Sequence, residues 1–219
     1  MRATVRTWAW CGLALAAIAT AAAAGVADPE RFATPPPPPR VSAPAGRVLF
    51  SDHFASPALA GWSADRDSVW SVWRGMLRAD LPDEKQERSL IHAGDDAWTD
   101  YALDFDVCMM RGVDKGAVLR IEGQTGLGVD LRGGSYQDVV MNVREWRIGH
   151  ANVTNPNGTW QHVRVEAHGR RWRVFVNGEL KLDRRDARRP RGHFALAAYT
   201  GGVGQCTVYY DNVVVTALE

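Results

Sequence analysis

The chain carries no helical spacing of convincing length anywhere in its 219 residues, so a helical bundle and an alternating α/β fold are both excluded. A net charge of only +1 removes any general electrostatic case for binding nucleic acid. No Gly-x-Ser-x-Gly elbow, His-Glu-x-x-His zinc helix or phosphate-binding loop occurs. Three cysteines are too few for a disulfide-built scaffold. The longest apolar run, Leu13 to Ala24, falls short of a bilayer span.

That run follows Arg2 and Arg6 and leads into small residues, the order of a secretory signal peptide over 1–27, with cleavage expected between Ala22 and Ala27. Export to the exterior or the periplasm is therefore expected, with no membrane span left after cleavage. Residues 28–46 contain five consecutive prolines, Pro35 to Pro39, and read as an extended spacer because proline locks φ and removes backbone donors. One domain, 47–219, remains.

Within it, alternation of apolar and polar residues marks strand after strand. Examples are Tyr101-Ala102-Leu103-Asp104-Phe105, Gln161-His162-Val163-Arg164-Val165 and Arg173-Val174-Phe175-Val176. The pair Asn177-Gly178 predicts a tight hairpin after the last of these. Strands separated by turns at such short intervals predict an all-β, two-sheet antiparallel sandwich. Asp138 to Ile148 reads as one strand, and Gln161 to Leu182 as a pair. Cys108 and Cys206 lie in strand-like segments whose antiparallel pairing would bring the sulfurs opposite each other. A disulfide is expected there, worth about 4 kcal/mol by loop closure.

The residues in this order resemble a family. Val48-Leu49-Phe50-Ser51-Asp52-His53-Phe54 with Gly61-Trp62, Trp70-Ser71-Val72-Trp73-Arg74-Gly75-Met76-Leu77, Val176-Asn177-Gly178 and Tyr210-Asp211-Asn212-Val213 are similar to segments of concanavalin A-like jelly rolls. The 3-keto-disaccharide hydrolase branch is the nearest look-alike, with laminin-G-like domains close behind. The resemblance implies a sandwich that binds sugars on a concave sheet face. The Glu-x-Asp-x-x-Glu strand of family 16 glycoside hydrolases and the Gln-Ile-His strand of alginate-lyase-like jelly rolls are both absent. Asp130 stands where the hydrolase branch usually has a Gln-like residue, and Tyr199 near a position often held by His. Last-strand Asp211, with Asp52, is the candidate pair for a structural calcium ion; no other cofactor is expected.

Strand alternation then selects a binding face. Arg120 with Glu122, Asp130 with Arg132, the row Asn142, Arg144 and Trp146, and Tyr199 beside Ala195 and Ala197 should each share a side. Together they have the composition of a carbohydrate site, with rings for stacking and amides, carboxylates and guanidinia for hydroxyls. The same charges also fit a solvated face of cross-strand ion pairs, and both readings stand. If a bond is cleaved, Asp130 and Glu122 are the candidate acid–base groups. The expected partner is thus a carbohydrate, with glycoside cleavage and laminin-G-like protein binding as the alternatives. His150 and His193 read as loop-packing residues. The sequons at Asn152 and Asn157 mark a surface loop, and the arginines from Arg184 to Arg191 a solvated one.

Overall fold

The computed structural model describes residues 31–40, 46–143 and 146–219. Among the described residues the domain is two antiparallel sheets stacked face to face, built from fifteen strands. These are β1 (Val48–Asp52), β2 (Ser63–Ala64), β3 (Trp70–Trp73), β4 (Met76–Asp80), β5 (Arg88–Ala93), β6 (Tyr101–Gly112), β7 (Asp114–Glu122), β8 (Thr125–Arg132), β9 (Asp138–Val143), β10 (Trp146–Asn152), β11 (Gln161–His168), β12 (Arg171–Val176), β13 (Glu179–Arg185), β14 (His193–Tyr199) and β15 (Cys206–Ala217). Sheet A runs β13-β12-β11-β6-β15-β4-β3, with β1 pairing the far half of β15. Sheet B runs β10-β9-β8-β7-β14-β5-β2. Among the described residues no α-helix occurs, as the missing helical period requires.

Alternate residues of each strand point inward and close the core. Leu103, Phe105 and Val107 of β6 and Val208 and Val215 of β15 meet Leu119 of β7, Leu127, Val129 and Leu131 of β8, and Phe194 and Leu196 of β14. Each such side chain contributes about 1.5–3 kcal/mol on burial. Asn177 and Gly178 both take positive φ between partners Val176 and Glu179, the two-residue turn anticipated from the sequence. Two core tyrosines cross the gap between the sheets. Tyr210 accepts from the Gly116 amide at 3.0 Å and donates to the Ala197 carbonyl at 2.5 Å. Tyr101 accepts from the Arg120 amide at 2.9 Å and donates to the Gly192 carbonyl at 3.2 Å. Burial raises the pKa of both phenols, so each stays a neutral donor.

Four expectations change. The segment Asp138 to Ile148 is a hairpin, not one strand: Trp146 is the cross-strand partner of Val143, so the chain reverses between them. Gln161 to Leu182 forms parts of three strands, because a further reversal falls at Gly169. The disulfide is absent. Cys108 pairs across from Tyr209, whereas Cys206 is opposite Gly112, and both thiols are buried and free. Cys206 belongs to the core cluster, while Cys108 alternates with core residues Val107 and Met109, so the sheet itself separates the sulfurs. Burial lifts Cys108 to about 11 and Cys206 to about 12. Finally, residues 31–40 are not a free spacer but lie against the outer side of sheet A, tied by contacts such as Trp160 Nε1 to the Pro36 carbonyl at 2.7 Å. The signal peptide expected over 1–27 lies outside the described residues.

Candidate functional site

Strand register on sheet B stacks its outward residues into three rows. The first is Arg88, Tyr199, Asp114, Arg132, Asp138 and Asn152; the second is Leu90, Ala197, Gly116, Asp130, Val140 and His150; the third is His92, Ala195, Val118, Gly128, Asn142 and Arg147. The middle row has its smallest side chains, Ala197 and Gly116, beside Asp130. Gly116 cannot be enlarged. Its φ is +157°, and a Cβ there would stand 2.0 Å from the Val129 carbonyl oxygen. Tyr210 anchors this same point from beneath.

Asp130 accepts from Asn142 Nδ2 at 2.9 Å, which fixes the amide with its oxygen free for a donor. Burial pushes the Asp130 carboxyl up to about 6. The nearby charge of Asp114 raises it further, while the Asn142 bond and the Arg132 and Arg88 charges oppose the rise. Asp114, one row and one strand away, is also raised by burial, and its Oδ1 has no hydrogen-bond partner among the described residues. Arg132 grips Asp138 through Nε at 2.8 Å and Nη2 at 2.5 Å and lies 4.3 Å above the Tyr136 ring. His150 Nε2 sits 3.0 Å from the same Asp138 carboxylate. Burial alone would raise Asp138, but these partners outweigh it and hold the group below the usual carboxylate range. Tyr199 reaches Gln86 with its hydroxyl and lines the far side of the first row.

Asp130, Arg132, Asn142 and Tyr199 therefore share the outer face of sheet B, as alternation implies. Arg120 does not. The register between β7 and β8 slips between Leu119 and Glu122, and Arg120 adopts φ +46°, which turns its side chain into the molecule. There it is fully buried and donates to the carbonyls of Thr99, Gly169, Arg189 and Ala167 and to Asp100, 4.9 Å from the Trp172 ring centroid. Trp146 is 70 % exposed, but as partner of core-facing Val143 it projects from the opposite side of the sheet to Asn142. Arg144 lies outside the described residues.

Glu122 ends β7, six residues past the Gly116 that faces Asp130, roughly 15–20 Å along the strand. That exceeds the span over which paired carboxylates flank one glycosidic bond, so Glu122 and Asp130 cannot act together. Glu122 instead lines a separate cavity with Asp95, Asp96 and Arg191. His193 bridges Asp96 at 2.5 Å and His92 at 3.0 Å. Asp52 is occupied by the Phe54 amide at 2.7 Å and Trp62 Nε1 at 2.9 Å, and Asp211 accepts from the Asn212 amide at 2.7 Å. Among the described residues no cluster of three or more His, Cys, Asp or Glu gathers as a metal site. No described helix is long and apolar enough to cross a membrane.

Sequence reading missed Asp114, Asp138 and Tyr136. The two acids join the face only through strand order, which alternation within one strand does not provide. Tyr136 was the one with a local signal: an aromatic in the Gly133-Gly134 turn, 52 % exposed.

Two stacked antiparallel sheets with this core make the protein a concanavalin A-like jelly roll. The carbohydrate-binding module CBM66 from Bacillus subtilis superposes with a TM-score of 0.62 at 16% identity, covering 72% of this chain and 96% of that one. The exoplasmic/lumenal domain of VIP36, in a Ca2+/Man3GlcNAc-bound form, gives 0.61 at 14% identity over 77% and 88%. The Crh5 transglycosylase in complex with NAG gives 0.61 at 13% over 81% and 88%. At these identities the likeness is one of fold. In sequence, the model of the 3-keto-alpha-glucoside-1,2-lyase-like domain matches residues 47–216, and the chain belongs to that family. Comparison with curated proteins gives no match.

Proposed function

We propose that this protein is an exported carbohydrate-binding domain that holds its sugar on the outer face of sheet B, over Ala197, Gly116 and Asp130. The observation that carries the reading is the pair of small residues Ala197 and Gly116 beside a carboxylate that holds the Asn142 amide. Asp130 and Asn142 supply paired acceptors and donors for vicinal hydroxyls, and Tyr136 and Tyr199 offer ring faces at the borders. Calorimetric titration with disaccharides tests it. Asp130→Ala and Asn142→Ala should each weaken binding at least tenfold, and unchanged affinity in both removes the site.

A second reading, cleavage of a glycoside bond, is favoured by one observation. A carboxyl at about 6 can hold or release a proton near neutrality, as general acid–base work requires. Asp114, not Glu122, is the neighbouring carboxylate that would assist it. Release of keto or reducing sugar, abolished by Asp130→Asn, distinguishes cleavage from binding. Export rests on the N-terminal pattern, and the mass of the mature N-terminus checks it.

A further inference from the structure

The proline segment shows a period that a passive spacer has no reason to show. Pro35 and Pro38 are buried, while Pro36, Pro37 and Pro39 are exposed. A polyproline-II helix has three residues per turn, so positions 35 and 38 lie along one edge of it. The carbonyls follow the same count. Ala33, Pro36 and Pro39, each three apart, accept from the Tyr209 hydroxyl at 3.3 Å, Trp160 Nε1 at 2.7 Å and Asn212 Nδ2 at 3.0 Å.

The donors come from separate places on sheet A. Tyr209 and Asn212 belong to β15, and Trp160 immediately precedes β11. Trp73 of β3 adds a bond from Nε1 to Thr34 Oγ1 at 3.0 Å. Both ends are clipped by charge. Arg31 meets Asp80 at 3.1 Å and Asp83 at 3.2 Å, and Arg40 lies 3.7 Å from Asp211. A polyproline helix has no internal hydrogen bonds, so every carbonyl is available, and little backbone freedom remains to be lost on docking. Aromatic N–H and O–H groups that meet one carbonyl per turn are the recognition mode such a helix calls for.

We propose that the outer face of sheet A around Trp73, Trp160, Tyr209 and Asn212 is a docking groove for a polyproline-II helix, occupied in cis by residues 31–40 of the same chain. The groove lies on the opposite side of the sandwich from Asp130 and does not depend on the carbohydrate reading.

The test uses the full chain and a fluorescein-labelled peptide of residues 31–40, followed by anisotropy. Wild type, its groove filled, should bind the peptide at least tenfold more weakly than Pro35→Gly/Pro38→Gly, whose own segment is loosened. Adding Trp160→Phe, which keeps an aromatic ring and removes the N–H, should reverse that gain. Trypsin cleavage after Arg40, compared in wild type and Trp160→Phe alone, provides a second measure that needs no proline substitution. It should be at least tenfold faster in the variant. Equal cleavage rates, or no peptide binding to the folded Pro35→Gly/Pro38→Gly chain, would overturn the groove. Concentration-dependent dimerisation of wild type that is lost in Pro35→Gly/Pro38→Gly would overturn its filling in cis.

Discussion

The two outer faces of this sandwich are made of similar residues and behave in opposite ways. On sheet A, Asp104 and Asp106 are met by His162 and Arg164, and Glu166 by Arg164 and Arg173. The part of that face around Trp73, Trp160 and Tyr209 lies under the proline segment. On sheet B, Arg132 is held by Asp138, but among the described residues Asp114 and Asp130 have no cation of their own in direct contact, and Asn142 bonds Asp130. Charge on a sheet face is thus no indicator of a site. What separates the faces is which charges are left unbalanced.

The largest expected effect concerns Arg120, which sequence alternation alone assigns to the open face. Arg120→Met should cost about 3–5 kcal/mol of stability in denaturant unfolding, because Asp100 and several carbonyls lose a buried partner. A variant that melts normally yet fails to bind sugar would return Arg120 to the site and erase the distinction.

Asp130→Asn sharpens the comparison through pH. A carboxyl whose folded pKa exceeds its unfolded value makes the native state the better proton binder. Stability therefore falls as pH rises from about 4 to about 6 and stays lower above. The amide variant should be about 1–3 kcal/mol more stable than wild type at pH 8 and no more stable near pH 4. Its affinity for carbohydrate should drop at the same time.

On the closed face the sign is the same, but there the fold favours the charged form and the pH window lies higher. Hydrogen bonds to Asp104 and Asp106 raise His162 to about 9, so its contribution is complete below about 6.5 and lost as pH rises through 9. His162→Gln should melt below wild type at pH 6 and converge with it at pH 10. The smallest effect belongs to Trp146→Ala, which should change sugar affinity less than twofold. Reducing agent should leave the melting temperature unchanged, since Cys108 and Cys206 are unlinked.

What the sequence made legible was local. Period-2 alternation within a single strand placed Asp130 with Arg132, and Tyr199 with Ala195 and Ala197, on the correct side. The Asn177-Gly178 turn declared itself by residue type. What it hid was geometry set by neighbours. The bulge that inverts Arg120 carries no glycine or proline at that residue, and its cause is the network of carbonyls waiting inside. Arg144-Glu145, between the paired Val143 and Trp146, holds no glycine, proline, asparagine or aspartate, so the reversal went unsignalled, and with it the failure of Trp146 to join Asn142. Asp114 and Asp138 joined Asp130 on one face only once β7, β8 and β9 were known to be adjacent.

One dipeptide joins the two sides of the molecule. Tyr209 turns outward to the proline helix and Tyr210 inward to the ground beneath Asp130. A residue inserted before this pair would flip both rings at once, unlatching the segment and removing the prop under the proposed sugar bed in a single event. Insertions in β15 should accordingly be far more damaging than any substitution at either tyrosine alone.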